Sequence, residues 1–204
     1  MKNKSFKSIC LVMLLGAFVY GLALPFFWGN NPASELGTLS LLCEDRKAWF
    51  WLWGILTSGG IFVNSQYMYS KFGFRSRFFD ILGILGVIGM AFVALTLGHS
   101  IDDWNPKRIL HWVATGLFII FTIASIALYF IANRKKHKSF NILAVCVFLI
   151  LGSFFVIFGV VGKSALMEMI PLAMLEMFLF VVNFTPAVKA KSECKDMQVD
   201  KILK

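Results

Sequence analysis

Residues 78–98 read FFDILGILGVIGMAFVALTLG, twenty-one positions that are apolar almost throughout. A helix crossing the hydrocarbon core of a bilayer needs about 20 such residues. In lipid, the helix is also a structure that satisfies its own backbone hydrogen bonds. Arg75 and Arg77 precede this run, and His99, Ser100, Asp102 and Asp103 follow it. Working outward in both directions, five further runs of the same kind occupy 8–28, 48–70, 109–133, 140–162 and 165–188. The composition agrees. Of 204 residues, 58% are hydrophobic and 15% charged, with a mean hydropathy of +0.75. A soluble domain carries about a quarter charged residues, so this chain has too little charge to cover a water-facing surface. The expected fold class is an all-α polytopic membrane protein, a six-transmembrane-helix bundle. It forms one domain over residues 1–188, with a cytoplasmic tail over 189–204. Lys2, Lys4 and Lys7 before the first run also resemble a signal-peptide start, with Gly21-Leu22-Ala23 as a weak cleavage site. The length of the apolar run favours an uncleaved helix.

Charge between the runs sets the orientation. Lys2, Lys4 and Lys7 come before the first run, Lys71, Arg75 and Arg77 lie in the second loop, and Arg134, Lys135, Lys136 and Lys138 lie in the fourth. The tail has five lysines against Glu193, Asp196 and Asp200. The alternate loops differ: Glu35, Glu44 and Asp45 face Arg46 and Lys47 in the first, Asp102 and Asp103 balance Lys107 and Arg108 in the third, and the fifth holds only Lys163. Cytoplasmic loops are the basic ones, so both termini are expected in the cytoplasm. The formal net charge of +9 is thereby a matter of orientation, and nucleic acid is not an expected partner. The expected partners are membrane lipids, and six spans in so small a chain suit a homo-oligomer. Trp28, Trp49, Trp51, Trp53, Trp104 and Trp112 gather near the outer ends of the first four runs, where amphipathic rings meet headgroups. Gly83, Gly86 and Gly89 in the third run, and Gly54, Ser58, Gly59 and Gly60 in the second, read as close helix contacts. Cys10, Cys43, Cys146 and Cys194 show no CxxC pair or Cys/His metal spacing, which argues against a disulfide framework.

The groups able to do chemistry collect on the outer side. Asn30, Asn31, Ser34 and Glu35 lie in the first loop, His99, Ser100, Asp102 and Asp103 follow the third run, and His111 opens the fourth. Glu168 stands near the outer end of the last run. Glu176 lies about eleven residues in, roughly 16 Å at 1.5 Å per residue. A carboxyl that deep costs a few kcal/mol unless protonated or partnered, which makes it a functional candidate. By helical periodicity Asn183 shares its face and Glu168 is rotated by about 80°. The competing account is a hydrogen-bonded acid that only fixes helix packing. Imidazole with carboxylate suits several divalent ions, so His99, His111 and Asp103 form a candidate metal set and a divalent metal a candidate cofactor. His111, His99, Asp102, Asp103 and Glu176 are alternatively candidates for acid–base catalysis. Ser34, Glu35, Glu168, Asn183, Trp104 and Trp112 are candidates for ligand binding. Pro106 with Asp102 or Asp103 also fits a plain helix start, and Pro171 is expected to kink the last helix beside the pocket.

Pro32-Ala33-Ser34-Glu35-Leu36-Gly37 after the first run, then Leu110-His111, Ala114 and Phe118 in the fourth, resemble a family of prokaryotic six-span membrane proteins, the domain of unknown function nine-nine-eight. The matching positions are Ser34, Glu35, Gly37, Asp102 or Asp103, and His111. The stretch Leu39-Ser40-Leu41-Leu42-Cys43 departs from that family's usual small and proline-containing loop. The resemblance implies the cytoplasmic (inner) membrane of a prokaryote but no activity. A fainter similarity, on His111 and Leu175-Glu176, is to the eukaryotic Frag1/DRAM/Sfk1 group of six-span proteins linked to lipid remodelling. Three classes of function follow. The first is a lipid-active protein with an outer-leaflet polar pocket, which as an enzyme would be a membrane-embedded lipid hydrolase or transferase. The second is a small transporter or channel subunit with Glu176 as a proton or cation relay. The third is a membrane scaffold that binds a partner through its small-residue faces.

Overall fold

The structure is a computed structural model that describes residues 2–27, 38–97, 106–186 and 188. The described residues are helical and contain no strand. Helix α1, Lys2–Ala23, runs into a 3-10 turn at Leu24–Phe26; a short helix α2, Leu39–Leu42, and a 3-10 turn at Glu44–Arg46 then lead into α3, Lys47–Phe72. Four more helices follow: α4, Arg77–Leu95; α5, Pro106–Ala132; α6, Phe140–Val161; and α7, Ala165–Phe184. Their ends have local causes. Gly73, at φ 72°, closes α3 in the left-handed region, and Phe74 N–H bonds back to Tyr69 O, the glycine-capped ending that frees a chain to turn. The Ser76 hydroxyl accepts the Phe78 amide at the start of α4. Pro106 opens α5, where its missing N–H costs nothing.

Five helices are long and apolar enough to cross a membrane: Ser5–Phe26, Arg77–Leu95, Pro106–Ala132, Phe140–Val161 and Ala165–Phe184. Helix α3 is just as long but more polar, and the reason is its position. It packs against α1, α4 and α7, and turns Thr57, Ser58, Asn64 and Ser65 into those contacts, all buried. Its outward positions Leu52 and Ile55 are as apolar as those of its neighbours. Large apolar side chains cover the outside of the bundle, among them Val12, Ile81, Ile120 and Leu149, as expected where the solvent is lipid.

The long helices form a ring in which α1 touches α3, α3 touches α4, and so on to α7, which closes against both α1 and α3. The α4–α5 pair is the most intimate. A Cβ added at Gly89 would stand 2.9 Å from the Phe118 amide nitrogen, and one at Gly86 2.7 Å from Thr122 Oγ1. Only a missing side chain lets these backbones come so close. The glycines of the third run are thus packing residues, as their spacing suggested. At the end where α3 and α5 finish, an aromatic core of Tyr69, Phe72, Phe79, Tyr129, Phe130 and Phe140 ties four helices together. Tyr69 donates to Ser125 O at 2.9 Å. At the other end the apolar core is thinner, built from Leu24, Leu39, Phe50, Trp53, Met90 and Val93.

Candidate functional site

A cavity of about 640 Å³ opens in the thinner half of the bundle. One face of α5 forms its long wall: Arg108, His111, Trp112, Thr115, Gly116, Ile119 and Ile123 recur at the three- and four-residue steps that align side chains on a helix. Met167, Glu168, Pro171, Leu172 and Leu175 supply the α7 wall, Lys163 comes from the α6–α7 connection, and Phe154, Phe155 and Phe158 form the α6 wall. Phe50, Trp53, Met90 and Val93 form the back. One residue leaves part of this space open, and another leaves a backbone acceptor at its wall. Gly116 projects nothing into it, since a Cβ there would meet no atom within 4 Å. Pro171, inside α7, has no N–H for the Met167 carbonyl, so that acceptor lacks its helical donor at the cavity wall. Helix α7 nevertheless runs unbroken past the proline.

The polar side chains sit at one end. His111 Nδ1 lies 3.1 Å from Thr96 Oγ1, and the Thr96 hydroxyl is 2.7 Å from Phe92 O. A hydroxyl has one proton; with that proton directed to the carbonyl, it accepts from Nδ1–H. In the neutral ring this leaves Nε2 as the basic nitrogen. Thr115 donates to the His111 carbonyl at 2.8 Å. The Trp112 ring carries Lys163 Nζ at 4.3 Å and Arg108 Cζ at 5.8 Å from its centroid, so an aromatic face holds two cations at this end. Glu168 Oε2 accepts the Leu39 amide at 2.9 Å, an otherwise orphaned donor at the start of α2. That bond ties the segment after α1 to α7. Cys43, fully buried at the end of α2, has its thiol pushed up to about 11 by burial and then by the Glu168 charge, against a lowering by Arg46.

Comparison with known proteins finds no matching family model, no similar curated protein and no similar solved structure. The site therefore rests on its own geometry.

Of the residues singled out in the sequence, His111, Trp112 and Glu168 line this one cavity. Glu176 and Asn183 do not line it. They are buried elsewhere on α7, so Glu176, expected from the sequence to share one pocket with His111 and Glu168, stands outside this cavity: its rotation of about 80° from Glu168 along the helix turns it away. There, Asn183 Nδ2 donates to Asn64 O at 2.9 Å, and Asn64 Nδ2 donates to Cys10 O and to Gly60 O, both at 2.9 Å. This polar seam joins α1, α3 and α7. Lys71 Nζ, 2.7 Å from Val182 O, closes its foot. Helices α3 and α7 are parallel, so seven residues back from the Asn64–Asn183 contact Thr57 and Glu176 stand at one level. Both are buried, and Thr57 Oγ1 and Glu176 Oε1 have no hydrogen-bond partner.

Ser34, Glu35, His99, Asp102, Asp103 and Trp104 lie outside the described residues. Two of the three residues of the expected metal set are thus among them. Within the described residues no group of three His, Cys, Asp or Glu could hold a metal ion, and Cys10, Cys43 and Cys146 are free thiols. Sequence reasoning missed Arg108, Lys163, Thr96, Thr115 and Gly116 as site residues. The two basic residues were legible only as loop charges. The signal that could have promoted Arg108 is its four-residue spacing from Trp112, which puts both on one helical face.

Proposed function

We propose that this chain is a six-span membrane protein, with both termini cytoplasmic, that binds a membrane lipid in the α5–α6–α7 cavity on the outer-leaflet side. Five helices of spanning length and composition, with α3 as a sixth of equal length, support the span count. The one-sided basic loops support the orientation. The observation that carries the ligand is the cavity itself. Its volume of about 640 Å³ falls within the ~300–1,000 Å³ of small-molecule sites. Its walls are mainly apolar, and its polar groups converge at one end. That division matches an amphiphile, with chain along the walls and head at Arg108, His111, Lys163 and Trp112. Kinship with the six-span family of Ser34-Glu35-Leu36-Gly37 and Leu110-His111 is part of the same proposal, as is residence in a prokaryotic cytoplasmic membrane.

A plug tests the reading. Gly116→Phe puts a ring into open space, where no atom crowds the new Cβ. The expected result is that the wild-type chain in detergent retains lipid through delipidation and gel filtration, whereas the G116F chain elutes identically but without it. Equal lipid retention by two equally folded chains would overturn the cavity as the binding site.

A further inference from the structure

Helix α3 carries a second polar stripe besides the one that meets Asn183. Ser58, Ser65, Gln66 and Tyr69 recur at the three-, four- and seven-residue steps of one helical face, and they line a small cavity against α4 and α5. Thr122 and Ser125 line it from α5, and Ile61, Phe62, Phe79 and Val87 are its apolar walls. Its volume is about 10 Å³, at the ~10–15 Å³ that one water requires by the same measure.

Most of the protons here are already committed. Ser58 donates to Gly54 O at 2.6 Å, Ser65 to Ile61 O at 2.9 Å, and Ser125 to Thr122 O at 2.8 Å. A hydroxyl has a single proton, so these three oxygens are left as acceptors. Gln66 differs. Both its Nε2 and its Oε1 are buried without a hydrogen-bond partner, and a buried amide in that state bears the full cost of its desolvation. The apolar walls cannot answer it. What fits is a small neutral group that donates to hydroxyl oxygens and also bonds an amide. Water does both, and a buried water makes about three such bonds. A metal cation fits less well, because the amide N–H repels it. No carboxylate is among the described residues lining the cavity to offset its charge in a membrane.

We propose that one structural water is bound between α3, α4 and α5, bonded to the Gln66 amide and to serine hydroxyl oxygens of α3 and α5. This is independent of the lipid cavity. The water gives α3 a second polar tie to α5, beside the direct bond from Tyr69 to Ser125 O. It also satisfies the amide of a helix that is more polar than its neighbours.

Gln66 and Gln198 are the two glutamines of the chain, so Gln198→Glu leaves Gln66 as the one glutamine side chain. That chain, labelled with nitrogen-15 in the glutamine side chain and placed in bilayers of lipid with deuterated acyl chains, is read by proton-detected NMR. A cross-peak between the Gln66 amide protons and water is expected. Ser125→Val puts methyl groups in place of the α5 hydroxyl and into the space of the water, and the cross-peak should disappear. Ser65→Val makes the same test from α3 should S125V fail to fold. A visible Gln66 amide without the cross-peak overturns the proposal, as does a cross-peak that persists in the folded valine variant. A Gln66 signal that moves when sodium replaces choline in the buffer puts a cation in the cavity and overturns it too.

Discussion

Asn64 shows what a single polar residue does inside an apolar bundle. Its side-chain amide donates to carbonyls on α1 and on its own helix, and its backbone carbonyl accepts from Asn183 on α7 at 2.9 Å, with the side-chain oxygen 3.4 Å from the same nitrogen. Three helices thereby meet at one residue. Hydrogen bonds of this kind in membrane proteins contribute about 0.6 kcal/mol on average and about 1.7 kcal/mol at most. Asn64→Leu, similar in size, is expected to cost roughly 1–2 kcal/mol, read as a lower midpoint of unfolding in mixed micelles. In a double-mutant cycle with Asn183→Leu the coupling should stay below about 0.6 kcal/mol, because Asn64→Leu keeps the backbone carbonyl that Asn183 reaches; a larger coupling would show that the 3.4 Å contact with Asn64 Oδ1 carries the seam. The Asn183 half of this contact was legible from its spacing to Glu176. Asn64 was not, because a lone Asn in an apolar run says nothing about which neighbouring helix it meets.

The elements divide into those fixed by close approach and one that stands partly free. Helices α4 and α5 lock through Gly86 and Gly89 against the backbone and side chains of Phe118 and Thr122. Gly89→Ala must move the α5 backbone, an overpacking cost of about 1–3 kcal/mol. Gly152→Ala on α6 adds its methyl where nothing lies within 4 Å, and better helix propensity should make it neutral or stabilising by up to ~1 kcal/mol. Thermal unfolding of the two variants side by side checks the contrast. A Gly89→Ala chain as stable as Gly152→Ala would remove close approach as the basis of the α4–α5 pair. Equal glycines in the sequence thus differ because α4 faces a neighbour and the second half of α6 does not.

For the whole molecule, the decisive property is which side of the bilayer the cavity faces. With cytoplasmic termini, the α2–α3 junction is outside and the α5–α6 loop inside. Asp45→Cys and Lys135→Cys, both at exposed positions, should then label oppositely. A membrane-impermeant maleimide on intact cells should modify Asp45→Cys at least about tenfold more than Lys135→Cys, and permeabilisation should equalise them; the shielded native Cys43 adds little background. The reverse pattern would turn the molecule over and put the cavity in the inner leaflet, sinking the outer-leaflet reading while leaving the site itself in place.

The membrane helices could be read from the sequence because hydropathy and loop charge act one segment at a time against a planar solvent. A run such as 78–98 needs no knowledge of its neighbours to be recognised. The same locality placed Glu176 and Asn183 on one helical face and Glu168 on another. Tertiary structure alone decided that Arg108 and Lys163 join His111, Trp112 and Glu168 at one cavity, and that Glu176 is buried outside it. The reason is that a cavity is a failure of packing between helices. It depends on how tightly Gly89 seats α4 on α5, on where α6 leaves the bundle, and on the space that Gly116 leaves empty, none of which has a periodicity along the chain.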